Sequence, residues 1–311
     1  MISFRYHVVS IAAVFLALAV GVVLGSAGVS DRLLSAVSHE AEDLAGQVQT
    51  LRAERDALAA GQRASDEFAH RVGPAAVRGL LPGSTVTLVT SGADPADRDA
   101  VRALLQQAGA TVGGEVALTP AVGDPARADQ LRALTAELLP AGAQLPAAAD
   151  TGSLVGGLLG GIVLAPAGQQ AGQPIAAQQA DAVLAGLAAA GFVEPGQRPQ
   201  PGNVVLVLTG GALEGVDAGD AAAVVARLAA QLDLVGGGAV LAGRTGSAEA
   251  TGAVGVARAD PDVVERLSTV DDVQSGAGQV SAVLAVREQI DGRAGSYGTA
   301  PTASGGAAPA A

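Results

Sequence analysis

Asn203–Gly210 reads NVVLVLTG, and this stretch decides the fold. A strand with one wet face alternates apolar and polar residues. Here every position from Val204 to Leu208 is apolar, so both faces must be covered, as in a buried parallel strand. The same pattern recurs outward on both sides. Short runs at Val86–Val89, Val112–Val116, Gly161–Leu164, Ala239–Leu241 and Ser268–Val270 read as further strands. Between them, Pro95–Ala108, Pro125–Leu139, Gln178–Ala190, Ala221–Leu232 and Ala277–Gln289 read as helices. Asp94-Pro95 and Asp124-Pro125 supply an N-cap followed by proline at the first helical position. The alternation predicts an α/β head over residues 84–291, doubly wound and mostly parallel. Gly142–Gly161 is rich in alanine and glycine and reads as a loop with a short helix. From Gly292 the small residues and prolines predict a disordered tail over 292–311, SYGTAP (296–301) excepted.

Upstream of the head, Val8–Val29 is one uncharged run, VVSIAAVFLALAVGVVLGSAGV. Its 22 residues as a helix reach about 33 Å, enough to cross a hydrocarbon core. We assign residues 1–29 to a transmembrane anchor. Arg5 and the amino terminus precede the run, which favours a cytoplasmic N-terminus and an extracytoplasmic head. The competing reading is a signal peptide cleaved near Gly25-Ser26-Ala27; the run exceeds the usual ~7–15-residue core of such peptides.

Residues 30–73 read as a coiled-coil stalk. Ser30 and Asp31 offer N-cap chemistry if the helix breaks at the membrane face. A 3-4 spacing then runs through Leu34, Val37, Ala41, Leu44, Val48, Leu51, Arg55 and Leu58, with Arg55 the single polar member. Gly73-Pro74 is expected to end the helix. A stripe this narrow suits a parallel homodimer or a coiled-coil partner in the envelope. The alternative is an amphipathic helix folded onto its own head.

The chemistry excluded is informative. Net charge is −12 and all 18 basic residues other than histidine are arginines, with no basic run, so nucleic acid is not an expected partner. There is no cysteine, and the three histidines, His7, His39 and His70, all precede the head. Histidine triads, His/Cys zinc sites, lysine Schiff bases and a Walker lysine are therefore absent from it. We expect no catalytic residues, no cofactor and no bound metal. Ser91-Gly92, Thr209-Gly210-Gly211 and Gly243-Arg244-Thr245-Gly246 follow strands; each reads as a tight βα turn in preference to an anion cradle. Adjacent carboxylates on an extended segment point to opposite faces, so Asp271-Asp272 reads as helix-cap chemistry, and Arg244 as a solvated surface group.

MISFRYHVVSIAAVFLALAVGVVLGS (1–26), RLSTVDDVQSGAGQVSAVLAVREQI (266–290) and GSYGTA (295–300) together resemble the actinobacterial MctB family, the mycobacterial copper transport protein B group. The resemblance implies a role in copper transport, efflux or resistance, and the family has been described as an outer-membrane channel, which also allows the outer membrane as location. Related corynebacterial members, called SteB, imply envelope integrity and cell separation alongside a membrane protein and a peptidoglycan hydrolase. The residues weigh against direct copper handling. Cu(I) prefers thiolate, thioether or imidazole, and beyond Met1 this chain offers only its three histidines. His39 and His70 fall at heptad positions f and b, too far apart along one helix to share an ion. One apolar helix cannot line a pore, and the head lacks the dyad repeats of a membrane barrel. The expected function is thus a non-enzymatic envelope scaffold, with an oligomeric copper-efflux or channel component as first alternative and an α/β ligand-binding or hydrolase head as a third.

Overall fold

The computed structural model describes residues 4–140, 145–147, 150–166 and 175–309, those at 26–38 by backbone alone. The chain forms two compact units, Met1–Ala64 and Ser65–Ala311. Helix α1 (Phe4–Ala76) supplies the first unit and its last turns belong to the second. The backbone is helical through Ser30 and Asp31, so the break considered there does not occur. Nor does Gly73-Pro74 end the helix, which runs on to Ala76 with Pro74 inside it. Proline removes its own N–H, but Val77 still donates to the Gly73 carbonyl at 3.0 Å, and buried Val77 and Leu81 hold the exit in place.

The second unit is built on one parallel sheet. Its strands are β1 (Thr85–Ser91), β2 (Thr111–Leu118), β3 (Val204–Thr209), β4 (Ala239–Gly243), β5 (Ser268–Val270) and β6 (Ser296–Tyr297). Their spatial order is β2-β1-β3-β4-β5-β6. Leu88 lies beside Leu206, and Leu206 beside Val240, so apolar side chains form rows across the sheet. The every-position apolar pattern of β3 splits cleanly by pleat. Val204, Leu206 and Leu208 join one core with Val86 and Leu88. Val205 and Val207 join the other, with Val89 and Val116.

The first core is covered by α2 (Pro95–Gln107) and α9 (Gly276–Ile290). The second is covered by α3 (Ala128–Glu137), α4 (Thr151–Val163), α5 (Ala177–Ala189), α6 (Ala218–Val235), α7 (Ala253–Arg258) and α8 (Pro261–Val264). This is the expected doubly wound α/β architecture.

Three local expectations are corrected. Gly161–Leu164 is not a strand; Gly161–Val163 ends α4, and Leu164 only bridges Gly202. Asp150 caps this helix by accepting from the Ser153 N–H at 2.9 Å. Gly152, Gly156 and Gly160 then lay a flat stripe along α6: a Cβ on Gly156 would sit 2.8 Å from the Leu228 carbonyl oxygen. In the preceding alanine-glycine stretch, 141–144 and 148–149 lie outside the described residues. Pro125–Leu139 begins as a 3₁₀ turn, Pro125–Arg127, before α3.

The third correction is the tail. Residues 293–309 form β6 and fold back over it, with the N–H groups of Ser304 and Gly305 donating to the Ser296 carbonyl at 2.7 and 3.2 Å; 310–311 lie outside the described residues. The sheet thus ends in a covered edge. On the opposite side, Glu194 and Gln200 donate to the Ala117 and Gly113 carbonyls of β2 at 2.8 and 2.7 Å. The β5–α9–β6 connection is also unusual. Steps β2→β3, β3→β4 and β4→β5 move one way across the sheet with helices on the second face; β1→β2 moves the other way with α2 on the first. All four share one hand. The step β5→β6 moves like the first three but carries α9 on the α2 face, so its hand is reversed.

Candidate functional site

Three places carry polar or exposed features worth a functional reading: the α1 stripe, the crevice at the sheet's carboxyl end, and a buried polar knot at β5–β6. On α1, Phe4–Gly25 is one exposed apolar span long enough to cross a membrane. Beyond it, Leu34 and Val37 lie outside the residues with described side chains. Ala41, Leu44, Val48, Leu51, Arg55 and Leu58 are all exposed in the single chain. The Arg55 guanidinium turns sideways to Asp56 at 2.6 Å, leaving an apolar stripe on either side. His39 approaches only Glu42, at 3.9 Å.

The end of α1 is tied to the head within the second unit. The Asp66 carboxylate accepts from the Gly276 N–H at 3.0 Å, so it serves the first turn of α9 from another helix. Close approach requires small residues here: a Cβ on Gly276 would meet Ala69 Cβ at 2.8 Å, and one on Gly73 would meet Val280 at 2.7 Å.

The strand order reverses between β1 and β3, and their carboxyl ends open a crevice of about 400 Å³. Ser91-Gly92 and Thr209-Gly210-Gly211, read from sequence as turns, both reach its floor. The third turn meets them from β4, where the Arg244 N–H donates to the Gly210 carbonyl at 3.2 Å. Arg244 is not a free surface group. Its side chain bridges Asp94 at 3.0 Å and Asp97 at 2.9 Å, beside the start of α2. Burial raises the Asp97 pKa, partly opposed by Arg244. Asp94 itself caps α2 by accepting from the Ala96 N–H at 2.8 Å. A phosphate at this helix start would therefore meet a carboxylate already in the position that anions favour. The open part of the crevice is walled by Asp124, Glu214 and Asp217, with Leu213 and Val216 at its mouth and Val225 behind.

At β5, the pleat sends Asp271 and Asp272 to different partners. Asp271 is buried and ion-paired to buried Arg258 at 2.6 Å, while its other oxygen accepts from the Thr299 and Ala300 N–H groups at 2.7 and 3.2 Å. Arg258 also donates to Thr269 Oγ1 at 2.9 Å and to the Tyr297 carbonyl at 2.8 Å. The Tyr297 hydroxyl donates to Glu288 of α9 at 2.8 Å, and burial together with that carboxylate pushes its pKa up. Asp272 accepts from Ser275 Oγ at 2.9 Å; burial raises its pKa, opposed by Ser275 and reinforced by Asp271 and Asp66. Asp271 is thus a clamp on the tail, and it is Ser275, with Asp272 behind it, that caps α9. Spacing could not reveal Arg258 as partner, because a helix and a strand intervene. The available signal was that segments 266–290 and 295–300 both carry the family resemblance.

Among the described residues, no three His, Cys, Asp or Glu side chains group to hold a metal ion. The Arg258, Asp271, Tyr297 and Glu288 contacts are internal and tie the tail to α9, whereas Asp272 Oδ1 is buried without a hydrogen-bond partner.

A family model described as copper transport outer membrane protein, MctB, matches residues 1–307. The chain is similar to the copper transporter MctB of Mycobacterium tuberculosis, 43% identical over 305 residues and 96% of each chain. It is equally similar to that of Mycobacterium bovis. The copper transporter MctB of Mycobacterium leprae is 39% identical over 307 residues, again 96% of each.

Proposed function

The chain belongs to the MctB family, and on that premise we propose that it is a membrane-anchored, non-enzymatic component of copper handling at the cell envelope, acting by assembly. In this reading residues 1–29 anchor, 30–73 pair, and the head faces the outside of the cell membrane. The single observation that carries it is the joining, on one helix, of an apolar span and an exposed a/d stripe. Parallel anchors present parallel stripes, which suits a homodimer or a coiled-coil partner. Arg55 at an a position would weaken a homodimer while fixing its register. The same assembly would serve a SteB-like role in envelope integrity.

A direct copper path draws on the relatives' name alone. The donor set opposes it, since soft ligands are confined to Met1 and three dispersed histidines.

The chain has no cysteine, so one introduced thiol reports unambiguously. Leu51→Cys sits on the stripe and Ala53→Cys on the opposite face. In-cell oxidation should trap Leu51→Cys as a disulfide dimer, or as an adduct with one partner, and leave Ala53→Cys free. Equal trapping of both variants, or of neither, sinks the assembly reading.

A further inference from the structure

We infer that the crevice between β1 and β3 binds a ligand carrying an ammonium or guanidinium group on an apolar stem. The place comes from topology. The chain leaves β1 through α2 on one face of the sheet and leaves β3 through α6 on the other, so the two connections part and cannot fill the gap between them. Its volume of about 400 Å³ lies within the ~300–1,000 Å³ usual for small-ligand sites.

The charge of the ligand comes from the walls. On the α2 side the position that would hold an anion is closed by Asp94, with Arg244 spanning Asp94 and Asp97. On the α6 side the wall bears Asp124, Glu214 and Asp217 and no basic side chain. The positive field at the start of α6, which would otherwise draw an anion, already has Asp217 at the N-cap and Asp220 in the first turn. A phosphate or carboxylate entering here meets Asp124, Glu214 and Asp217, with no basic side chain in the lining to offset them. A cation meets attraction.

The stem comes from the mouth. Leu213 is 42% exposed and Val216 fully so, with Gly215 between them at φ +107°, a turn that a larger residue adopts only under strain. A bare ion would leave both side chains wet, whereas methylene groups would cover them. A polyamine or a lysine or arginine side chain of a polypeptide offers this chemistry. The site is independent of stalk pairing.

The test uses the full chain in detergent micelles. Two probes are titrated: spermidine, and a short peptide alternating arginine and leucine. The crevice variant is Glu214→Gln with Asp217→Asn; the charge-matched control is Asp129→Asn with Asp181→Asn, away from the crevice. Saturable binding, weakened about tenfold in the crevice variant and unchanged in the control, is expected. Tighter binding of spermidine assigns a small ligand, and tighter binding of the peptide assigns a protein segment. Absence of binding by both probes overturns the inference. So does equal weakening in both variants, which would mean general attraction to a chain of net charge −12.

Discussion

Asp233 near the end of α6 is a carboxylate whose side chain is only 8% exposed. It accepts from the Ala239 N–H at 3.1 Å and lies 3.5 Å from Arg266. Burial pushes its pKa up to about 6, against the smaller opposing pull of those two groups. The sign follows from proton counting. Between about pH 4 and 6 the native chain keeps a proton that the unfolded chain has lost, so stability falls as pH rises through that window and levels off above it. The effect is on the order of 2–3 kcal/mol. Asp233→Asn keeps an acceptor for Ala239 and carries no charge. Its melting temperature, relative to the parent chain, should therefore rise between pH 4.5 and 7. A constant offset across that range would contradict this account. Individual residues were unevenly legible in the sequence. The caps Asp94 and Asp124 were readable because their partners lie two residues away. Asp233 was not, because its burial comes from the packing of α6 against the sheet.

At the scale of elements, α4 illustrates how local pattern misleads. Gly161-Ile162-Val163-Leu164 has strand composition, yet the preceding glycines at every fourth position seat a helix against α6. Packing outweighs propensity there. Alanine is a better helix former than glycine by about 1 kcal/mol. At Gly156, however, its Cβ would press on the Leu228 carbonyl oxygen and on Gln231 Cβ at 2.9 Å. Gly156→Ala should destabilise the chain by about 1–3 kcal/mol, measured by chemical denaturation. Gly219→Ala in α6, where a Cβ meets nothing within 4 Å, is the internal contrast and should be neutral or slightly stabilising. Equal effects at both positions would remove the packing explanation. β3 and β4 were legible because runs of four or five apolar residues bounded by turns leave few alternatives. The two-residue β6 has no pattern of its own, and only its partners define it.

For the whole molecule, the determining fact is that the sheet's edges are closed by irregular segments. At the C-terminus the composition of 292–311 is that of an unstructured tail, and only SYGTAP (296–301) stood apart from it. Order there comes from Asp271, Arg258 and Glu288, all upstream, each gripping the segment through a buried polar contact. Deleting residues 292–311 should therefore lower the melting temperature by more than about 10 °C, as expected for several kcal/mol in a unit of this size. Light scattering should rise as β5 becomes an open edge. An unchanged melting temperature would show the tail to be dispensable. The crevice, in contrast, was half legible: its glycine turns were visible in sequence, but the acids that wall it come from separate connections.

The late place of β6 in the chain has a consequence for biosynthesis. A polypeptide is made and crosses the membrane in order, so the outer row of β5 amides stays unpaired until Ser296 and Tyr297 have followed. At about 5–20 residues per second that interval is on the order of seconds, long compared with the collapse of the rest of the sheet. Throughout it the newborn head offers a sticky strand to its neighbours at the membrane surface, and any holdase that escorts it must let go last from this side.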